Sequence, residues 1–260
     1  MEGASATIAL VLAETAAGST ALLWLGRVWG SVKRGFFILT EAVALTCALL
    51  TTLAVSSAAG TPASDAARLA VTTSAATSVL LGASLAALVL RWDAVGRWLG
   101  LLAVATVAAM LVAFARLGTE GFVTALLQLL AGAAFMGAVT DGLLLGHWYL
   151  VDRGLDRGHI RRFATLLIAA VVLEAAALLT LGFRSGPTSA EGFSPLLAIS
   201  GLATWLALGM VACTALIAVL IRSSLRSERA RAVQAATGFF YLAVITAFTA
   251  ELAAKVGFLA

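Results

Sequence analysis

The stretch GLLLGHWYLVDRGLDRGHIRR, residues 142–162, is where the chain changes from an apolar run to a strongly basic segment. The apolar part ends in His147, Trp148 and Tyr149, and four arginines and two aspartates follow. An apolar run that ends in aromatic residues and then in arginines is typical of a helix that leaves the hydrocarbon core at the cytoplasmic surface. The stretch therefore predicts a membrane-spanning helix and gives its direction.

The composition of the whole chain leads to the same class of protein. Of its 260 residues, 62% are hydrophobic and only 12% are charged, and the mean hydropathy is +1.04. A soluble domain carries about 25% charged residues. This composition excludes an ordinary water-soluble domain and predicts that lipid surrounds most of the protein.

Runs of about 20 apolar residues, the length that crosses a bilayer as a helix, recur along the chain between polar breaks. Because backbone groups in lipid must pair within their own segment, these runs predict helices. The sequence therefore predicts an all-α polytopic membrane protein with eight transmembrane helices in a single transmembrane domain, residues 1–260. The predicted spans are 6–26, 36–58, 70–90, 98–115, 122–149, 163–183, 195–221 and 235–257.

The basic residues predict the orientation. Thirteen of the 17 lysines and arginines fall in the first, third, fifth and seventh loops, whereas the second, fourth and sixth loops hold one each, and Lys255 completes the set. Basic loops stay on the cytoplasmic side. We therefore expect a multi-pass protein of the cell (inner) membrane with both termini extracytoplasmic. The net charge of +4 then reflects topology, and no nucleic-acid partner is expected, because the loops lack interleaved aromatic residues.

The two halves of the chain share a weak pattern. At an offset of 120 residues, four positions near the end of the first span match four near the end of the fifth. These pairs are Thr20 and Thr140, Leu23 and Leu143, Leu25 and Leu145, and Gly26 and Gly146. The pattern predicts an internal 4+4 repeat: two four-helix units, approximately 1–118 and 119–260, related by an axis along the membrane normal.

Five carboxylates lie inside the predicted spans, where an unpaired charge is energetically costly. They are Glu14, Glu41, Asp141, Glu174 and Glu251. Glu14 and Glu174 lie roughly 12 and 14 Å from the outer ends of their spans, close to the midplane. Neither has a basic residue within two helical turns. We expect these two acids, with Glu41, to take part in proton transfer.

Two of these acids also have a purely structural interpretation. Glu251 precedes Lys255 by four positions, the spacing of an ion pair on one helix face. Glu41 is predicted to reach Arg34 or Arg27 at the interface. These two acids would then be paired within the fold.

The residues His147, Asp141, Trp148 and Tyr149 form the candidate ligand site. Imidazole can donate to a quinone carbonyl, a carboxyl group can exchange protons, and aromatic rings can hold a planar ring. The site would lie at the cytoplasmic interface, the depth suited to a polar headgroup whose tail stays in lipid. The alternative is an aromatic belt with no ligand.

No clear cofactor motif is present. Haem held by two histidines is not expected, because the only histidines, His147 and His159, lie twelve residues apart and His159 falls in a charged loop. Ligation by one histidine and Met110, Met136 or Met210 has no supporting pattern. Cys47 and Cys213 lie within apolar runs and are expected to be buried small residues. Nothing predicts a metal or catalytic site.

These features give three functional hypotheses. The first is a membrane subunit of a redox or respiratory complex that contacts quinone on its cytoplasmic side and moves protons through buried carboxylates. Two four-helix units also occur in known quinone-reactive membrane anchors, an analogy of fold only. The alternative is a proton- or cation-coupled transporter of a small solute, and the second alternative is a structural or assembly subunit. The expected partners are the lipid bilayer, other protein subunits and quinone.

Overall fold

The structure, a computed structural model, describes residues 4–26, 28–58, 64–152, 154–181, 201–227, 231–256 and 258–259. The described residues form eight helices, each long and apolar enough to cross a membrane, and no strand. The chain is thus an all-helical, multi-pass membrane protein. Its helices are α1 (Ala4–Leu25), α2 (Arg34–Ala58), α3 (Asp65–Val89), α4 (Asp93–Ala115), α5 (Phe122–Val151), α6 (Gly158–Leu181), α7 (Leu202–Ser224) and α8 (Ala232–Ala254).

The eight predicted spans are confirmed, but several boundaries were wrong. The helices α3, α4 and α6 each begin five residues before their predicted spans, because polar residues continue the helix beyond the hydrocarbon. At α3, the Ser64 side chain accepts a hydrogen bond from the Ala67 amide at 3.2 Å, and Asp65 occupies the first turn, where an acid stabilises a helix. His159 consequently lies in the first turn of α6 and not in a loop.

Within the described residues, the seventh predicted span is helical from Leu202 onward. Helix α7 begins at Leu202, after Gly201 with φ of +79°, a left-handed conformation that glycine adopts without strain. The predicted residues before Gly201 lie outside the described residues.

The helices surround two central ones, α1 and α5, which are the most deeply buried of the eight. In the first half, α1 contacts α2 and α4, and α2–α3 and α3–α4 also pack together; in the second half, α5 contacts α6 and α8, and α6–α7 and α7–α8 pack likewise. Similar neighbours in the two halves do not establish that the halves are equivalent, so the internal 4+4 repeat stays a prediction.

Helices α1 and α5 cross in backbone contact. A Cβ atom added to Gly18 would lie inside the backbone of Ala133 and 2.8 Å from the amide of Gly137. Only glycine permits such an approach, which is the usual function of small residues between membrane helices. The crossing joins the two halves at the centre of the molecule and brings the polar residues of α1 against α5.

The helix bundle has two ends, which we name by their residues. The terminal side holds the start of α1 and the end of α8, and the Thr7 hydroxyl there lies 3.5 Å from the Lys255 carbonyl. The arginine side holds the connections after α1, α3, α5 and α7. Leucine, valine and isoleucine side chains are exposed on the outer helices between the two sides, as lipid contact requires.

Candidate functional site

Three acids and one lysine meet inside the helix bundle, and we call them the acid–lysine cluster. Glu14 comes from α1, Glu174 from α6 and Glu251 from α8, and Lys255 directly follows α8. None of the four side chains is more than 2% exposed. Charged groups at this depth are costly unless they are paired, so the cluster is a candidate functional site.

The ammonium group of Lys255 lies near three oxygen atoms. Its Nζ donates a hydrogen bond to the carbonyl oxygen of Gln128 at 3.3 Å. It also forms ion pairs with Glu14 Oε1 at 2.9 Å and Glu251 Oε2 at 3.3 Å, neither of which has hydrogen-bond geometry. The predicted pair of Glu251 and Lys255 is confirmed, and the ion pair with Glu14 crosses from the second half of the chain to the first.

Helix α5 makes room for the cluster through Gly132. A Cβ atom at this position would collide with the Glu14 carboxylate and would lie 3.0 Å from Glu251 Oε2. One turn earlier, the Gln128 side-chain amide donates to the carbonyl oxygen of Leu181 at 2.7 Å and so satisfies the last residue of α6. Helix α5 therefore contacts the carboxylates of α1 and α8 through Gly132 and the end of α6 through Gln128.

Glu174 completes the cluster from α6. It lies close enough to Glu251, Lys255 and Glu14 for electrostatic interaction, and its Oε2 has no hydrogen-bond partner. Three ionised carboxylates beside one ammonium would leave an excess of two negative charges in a site closed to water. Such an excess is strongly unfavourable in a low dielectric.

Residues after Lys255 cover the cluster on the terminal side. The Phe258 ring lies 5.7 Å from Lys255 Nζ and is buried. The Thr119 amide donates to the Phe258 carbonyl oxygen at 3.2 Å, and Leu259 forms a bridge with Gly118. This segment therefore binds to the α4–α5 connection and separates the lysine from the terminal surface.

Glu41 has partners other than those predicted. Its Oε1 accepts from Trp24 Nε1 at 3.1 Å and lies 2.7 Å from Ser84 Oγ, which is also 2.9 Å from the Gly96 carbonyl oxygen. The predicted contact with Arg34 was wrong, because Arg34 lies 3.3 Å from Asp93 instead. Arg27, the other predicted partner, lies outside the described residues. Glu41 thus belongs to a buried network of neutral donors.

Asp141 is buried in α5 with both carboxylate oxygens lacking a hydrogen bond. The Ser19 hydroxyl of α1 lies near its carboxyl group, although the two groups do not have full hydrogen-bond geometry. Asp141 is therefore part of the α1–α5 contact and faces the interior.

The structure does not bring the four residues of the predicted ligand site together. His147 is exposed, with its ring nitrogens 3.1 and 3.2 Å from the Tyr241 hydroxyl of α8. Trp148 packs over Gly35 at the start of α2, and Tyr149 donates to the Asp156 carbonyl oxygen. Asp141 faces α1. Whether a ligand binds near His147 stays a prediction.

The buried acids occupy successive depths along α1. The acid–lysine cluster lies at Glu14, Asp141 lies near Ser19, and Glu41 binds Trp24. Five residues separate each step on α1, which corresponds to about 7.5 Å of helical rise. The acids therefore extend from near the terminal side toward the arginine side, within the contact between α1 and its neighbours.

The cluster could be predicted from the sequence only in part. The predicted common depth of Glu14 and Glu174 is consistent with their meeting in one cluster. The sequence reasoning missed that Lys255 serves both Glu14 and Glu251, because 241 positions separate Glu14 from Lys255. It also missed Ser84 and Trp24, since neither hydrogen-bonding residue has a local signal in an apolar helix.

No protein-family model, no curated protein sequence and no solved structure matches this chain.

Proposed function

We propose that this chain is a proton-coupled transporter of a small solute, in which the acid–lysine cluster binds and releases protons. The observation that carries the proposal is the arrangement of three buried carboxylates around the single Lys255 ammonium. Because their charges do not balance, the cluster holds protons, and it can exchange them when the pairing of Lys255 changes.

The ion pair of Lys255 with Glu14 supports coupling to movement. Glu14 belongs to the first half of the chain and Lys255 to the second, and the two halves meet at the crossing of α1 and α5. A displacement of one half relative to the other increases the distance between Lys255 and Glu14 before it changes an ion pair that lies within one half. The loss of its counter-ion makes Glu14 take up a proton. Proton binding and displacement are thereby linked.

The remaining buried acids supply a route within the bundle. Asp141 and Glu41 continue the row toward the arginine side at steps of about 7.5 Å along α1. A displacement that admits water between these steps would connect the cluster with the arginine side. In the compact arrangement, the acids stay separated and protons do not leak.

Reconstitution in liposomes tests the proposal. The purified protein is placed in vesicles that contain a pH-sensitive dye, and a potassium diffusion potential is imposed with a panel of small cationic and neutral solutes outside. We expect a solute-dependent change of internal pH that Glu14→Gln and Glu174→Gln reduce on the order of 100-fold, the effect of losing a proton-transferring side chain. Asp65→Asn, which changes an exposed acid on the terminal side, serves as the control.

A second measurement does not depend on which solute is transported. Infrared difference spectra of the reconstituted protein between acidic and alkaline buffer report protonated carboxyl groups directly. We expect a carboxyl band that shifts in D2O and disappears in Glu174→Gln. If the spectra lack a titrating buried carboxyl and every solute leaves the internal pH unchanged, the acids are structural and the proposal is wrong.

The second candidate function is a membrane subunit of a redox complex that contacts quinone. The observation that favours it is the exposed pair of His147 and Tyr241, which lies near the arginine side, where a headgroup can approach from lipid. Purification from native membranes tests this candidate. Co-purifying redox subunits, and quinone-analogue binding weakened by His147→Ala, would support it; purification of the chain alone, with unchanged analogue binding, would remove it.

A further inference from the structure

Lys255 occupies the acid–lysine cluster in the way that a bound ligand would. Its Nζ donates to the Gln128 carbonyl oxygen at 3.3 Å and forms ion pairs with Glu14 Oε1 at 2.9 Å and Glu251 Oε2 at 3.3 Å. These oxygen atoms come from three helices, α5, α1 and α8, and the lysine side chain between them is only 2% exposed. The three helices therefore form a closed receptor for one ammonium group.

The groups around Nζ are those that recognise a primary ammonium cation. Carboxylate and carbonyl oxygens accept from N–H donors, of which a primary ammonium group has three. The Phe258 ring lies 5.7 Å from Nζ, within the range at which an aromatic face attracts a cation. A quaternary ammonium group lacks N–H donors, and the planar guanidinium group is larger than the compact ammonium head. The site therefore favours a primary ammonium group over other organic cations.

Glu174 adds a third acid to this receptor. Its side chain is 1% exposed, it interacts electrostatically with Glu251 and Lys255, and its Oε2 lacks a hydrogen-bond partner. Buried carboxylates without a cation are energetically costly. If Lys255 leaves the cluster, the carboxylates must therefore bind either protons or another cation.

Lys255 is the member of the cluster that is least fixed by helical structure. Glu14, Glu174 and Glu251 lie within helices, whereas Lys255 follows the last residue of α8. A change in the conformation of Lys255 withdraws the ammonium group and leaves the carboxylates in place. The side chain that withdraws is an unbranched alkyl stem with an ammonium head. The space that it leaves has the shape of a short alkylammonium ion.

We propose that the acid–lysine cluster binds a small primary ammonium cation in the place of the Lys255 ammonium group. The inference rests on the proposed function only where it takes this cation to be the transported solute. Protons and the solute then compete for the same carboxylates, which links the binding of one to the release of the other. In the absence of solute, Lys255 fills the site and keeps the carboxylates paired.

Chemical rescue of Lys255→Ala tests the proposal. This variant retains Cβ, so n-propylammonium supplies the missing part of the side chain. Three control compounds each lack one property: 1-propanol has no charge, tetramethylammonium has no N–H donor, and K⁺ has no alkyl chain. The purified full chain is unfolded thermally in phosphatidylcholine nanodiscs with each compound. We expect a saturable rise of Tm with n-propylammonium alone; an equal rise with a control compound, or no rise, overturns the proposal.

Further variants show whether the rescue belongs to this site. Lys33→Ala removes the other lysine of the chain, whose Nζ pairs with Asp152 at 3.0 Å on the arginine side, and should show no rise. Adding Glu14→Gln to Lys255→Ala should increase the n-propylammonium concentration at half-maximal stabilisation roughly tenfold or more, because a buried ion pair is lost. The wild-type chain should also need roughly tenfold more, since its tethered lysine competes. Equal responses of wild type and Lys255→Ala would place the amine elsewhere and would contradict the proposal.

If Lys255→Ala does not fold, Lys255→Ala/Glu174→Gln replaces it, because this variant carries one acid fewer and keeps Glu14, Glu251 and the Gln128 carbonyl. Absence of rescue there overturns the proposal. The liposome assay separates this inference from the proposed function. Rescue without any solute-dependent change of internal pH supports the ammonium site and contradicts transport. Transport of another solute without rescue contradicts the ammonium site and leaves the proposed function in place.

Discussion

At the scale of single residues, one cation determines the state of the buried polar core. Lys255 serves Glu14, Glu251 and the Gln128 carbonyl at once, and Phe258 covers it. Removing one partner of a buried ion pair leaves an uncompensated charge, which costs more than the pair contributes. The stability of the bundle is therefore sensitive to a residue that lies beyond the end of its last helix.

The change Lys255→Met tests this dependence. We expect the free energy of unfolding in detergent to fall by about 3–5 kcal/mol, because buried carboxylates lose their counter-ion. The double variant Lys255→Met/Glu14→Gln should recover part of the loss, since it also removes one of the acids. Denaturant titration of both variants gives the coupling between the two residues. Additive effects of the two changes would contradict the ion pair.

A second test at this scale concerns Glu41. Its Oε1 lies 2.7 Å from the Ser84 hydroxyl, and Ser84→Ala removes that partner inside the bundle. We expect a loss of about 0.5–1.5 kcal/mol in the free energy of unfolding, the net contribution of one hydrogen bond, because Glu41 Oε1 keeps its bond from Trp24. Ser56→Ala is the matched control, because the exposed Ser56 hydroxyl donates to the Leu53 carbonyl of its own helix. Equal losses would show that Ser84 does not serve Glu41.

At the scale of helices, close approach of α1 and α5 determines where the polar residues meet. Gly18 lies against Ala133 and Gly137, and this contact places Glu14 at Gly132 and Ser19 near Asp141. The crossing therefore holds the two halves of the bundle together and also positions the residues of the candidate site.

Replacing Gly18 by alanine tests the crossing. The added Cβ would overlap the Ala133 backbone, so α1 and α5 must separate, and we expect a loss of about 1–3 kcal/mol or more in the free energy of unfolding. Gly238→Ala in α8 is the control, since its Cβ would meet no atom within 4 Å. That change should be neutral or stabilise the helix by about 0.5–1 kcal/mol. If both variants unfold alike, the close crossing is not present.

These helices also show what sequence can and cannot predict. Hydrophobic length identifies all eight, since it depends only on local composition, whereas their starts were misplaced where polar residues such as Asp65 continue the helix. Contacts between helices are not predictable in this way, because helices that are apolar on every face do not indicate which face meets a neighbour. The ion pair of Glu251 and Lys255 was predictable, because only four positions separate the two residues in the sequence. The ion pair of Lys255 with Glu14 was not predictable.

At the scale of the whole molecule, the asymmetric distribution of charge predicts how the protein sits in the membrane. The arginine side carries exposed arginines of α6 and α7 and the pair of Lys33 with Asp152 at 3.0 Å, whereas the terminal side carries the covered acid–lysine cluster. Loops rich in arginine are retained in the cytoplasm. The acid–lysine cluster would then lie nearer the extracytoplasmic surface.

Cysteine labelling in intact cells tests this orientation. In a background with Cys47→Ala and Cys213→Ala, the exposed positions Thr119 and Gly154 are replaced one at a time by cysteine. Thr119 lies on the terminal side and Gly154 on the arginine side, so we expect a membrane-impermeant maleimide to label T119C in intact cells and G154C only after permeabilisation. The two positions control for each other, because each must react in permeabilised membranes. Labelling of G154C alone in intact cells would invert the orientation and would place the acid–lysine cluster nearer the cytoplasm.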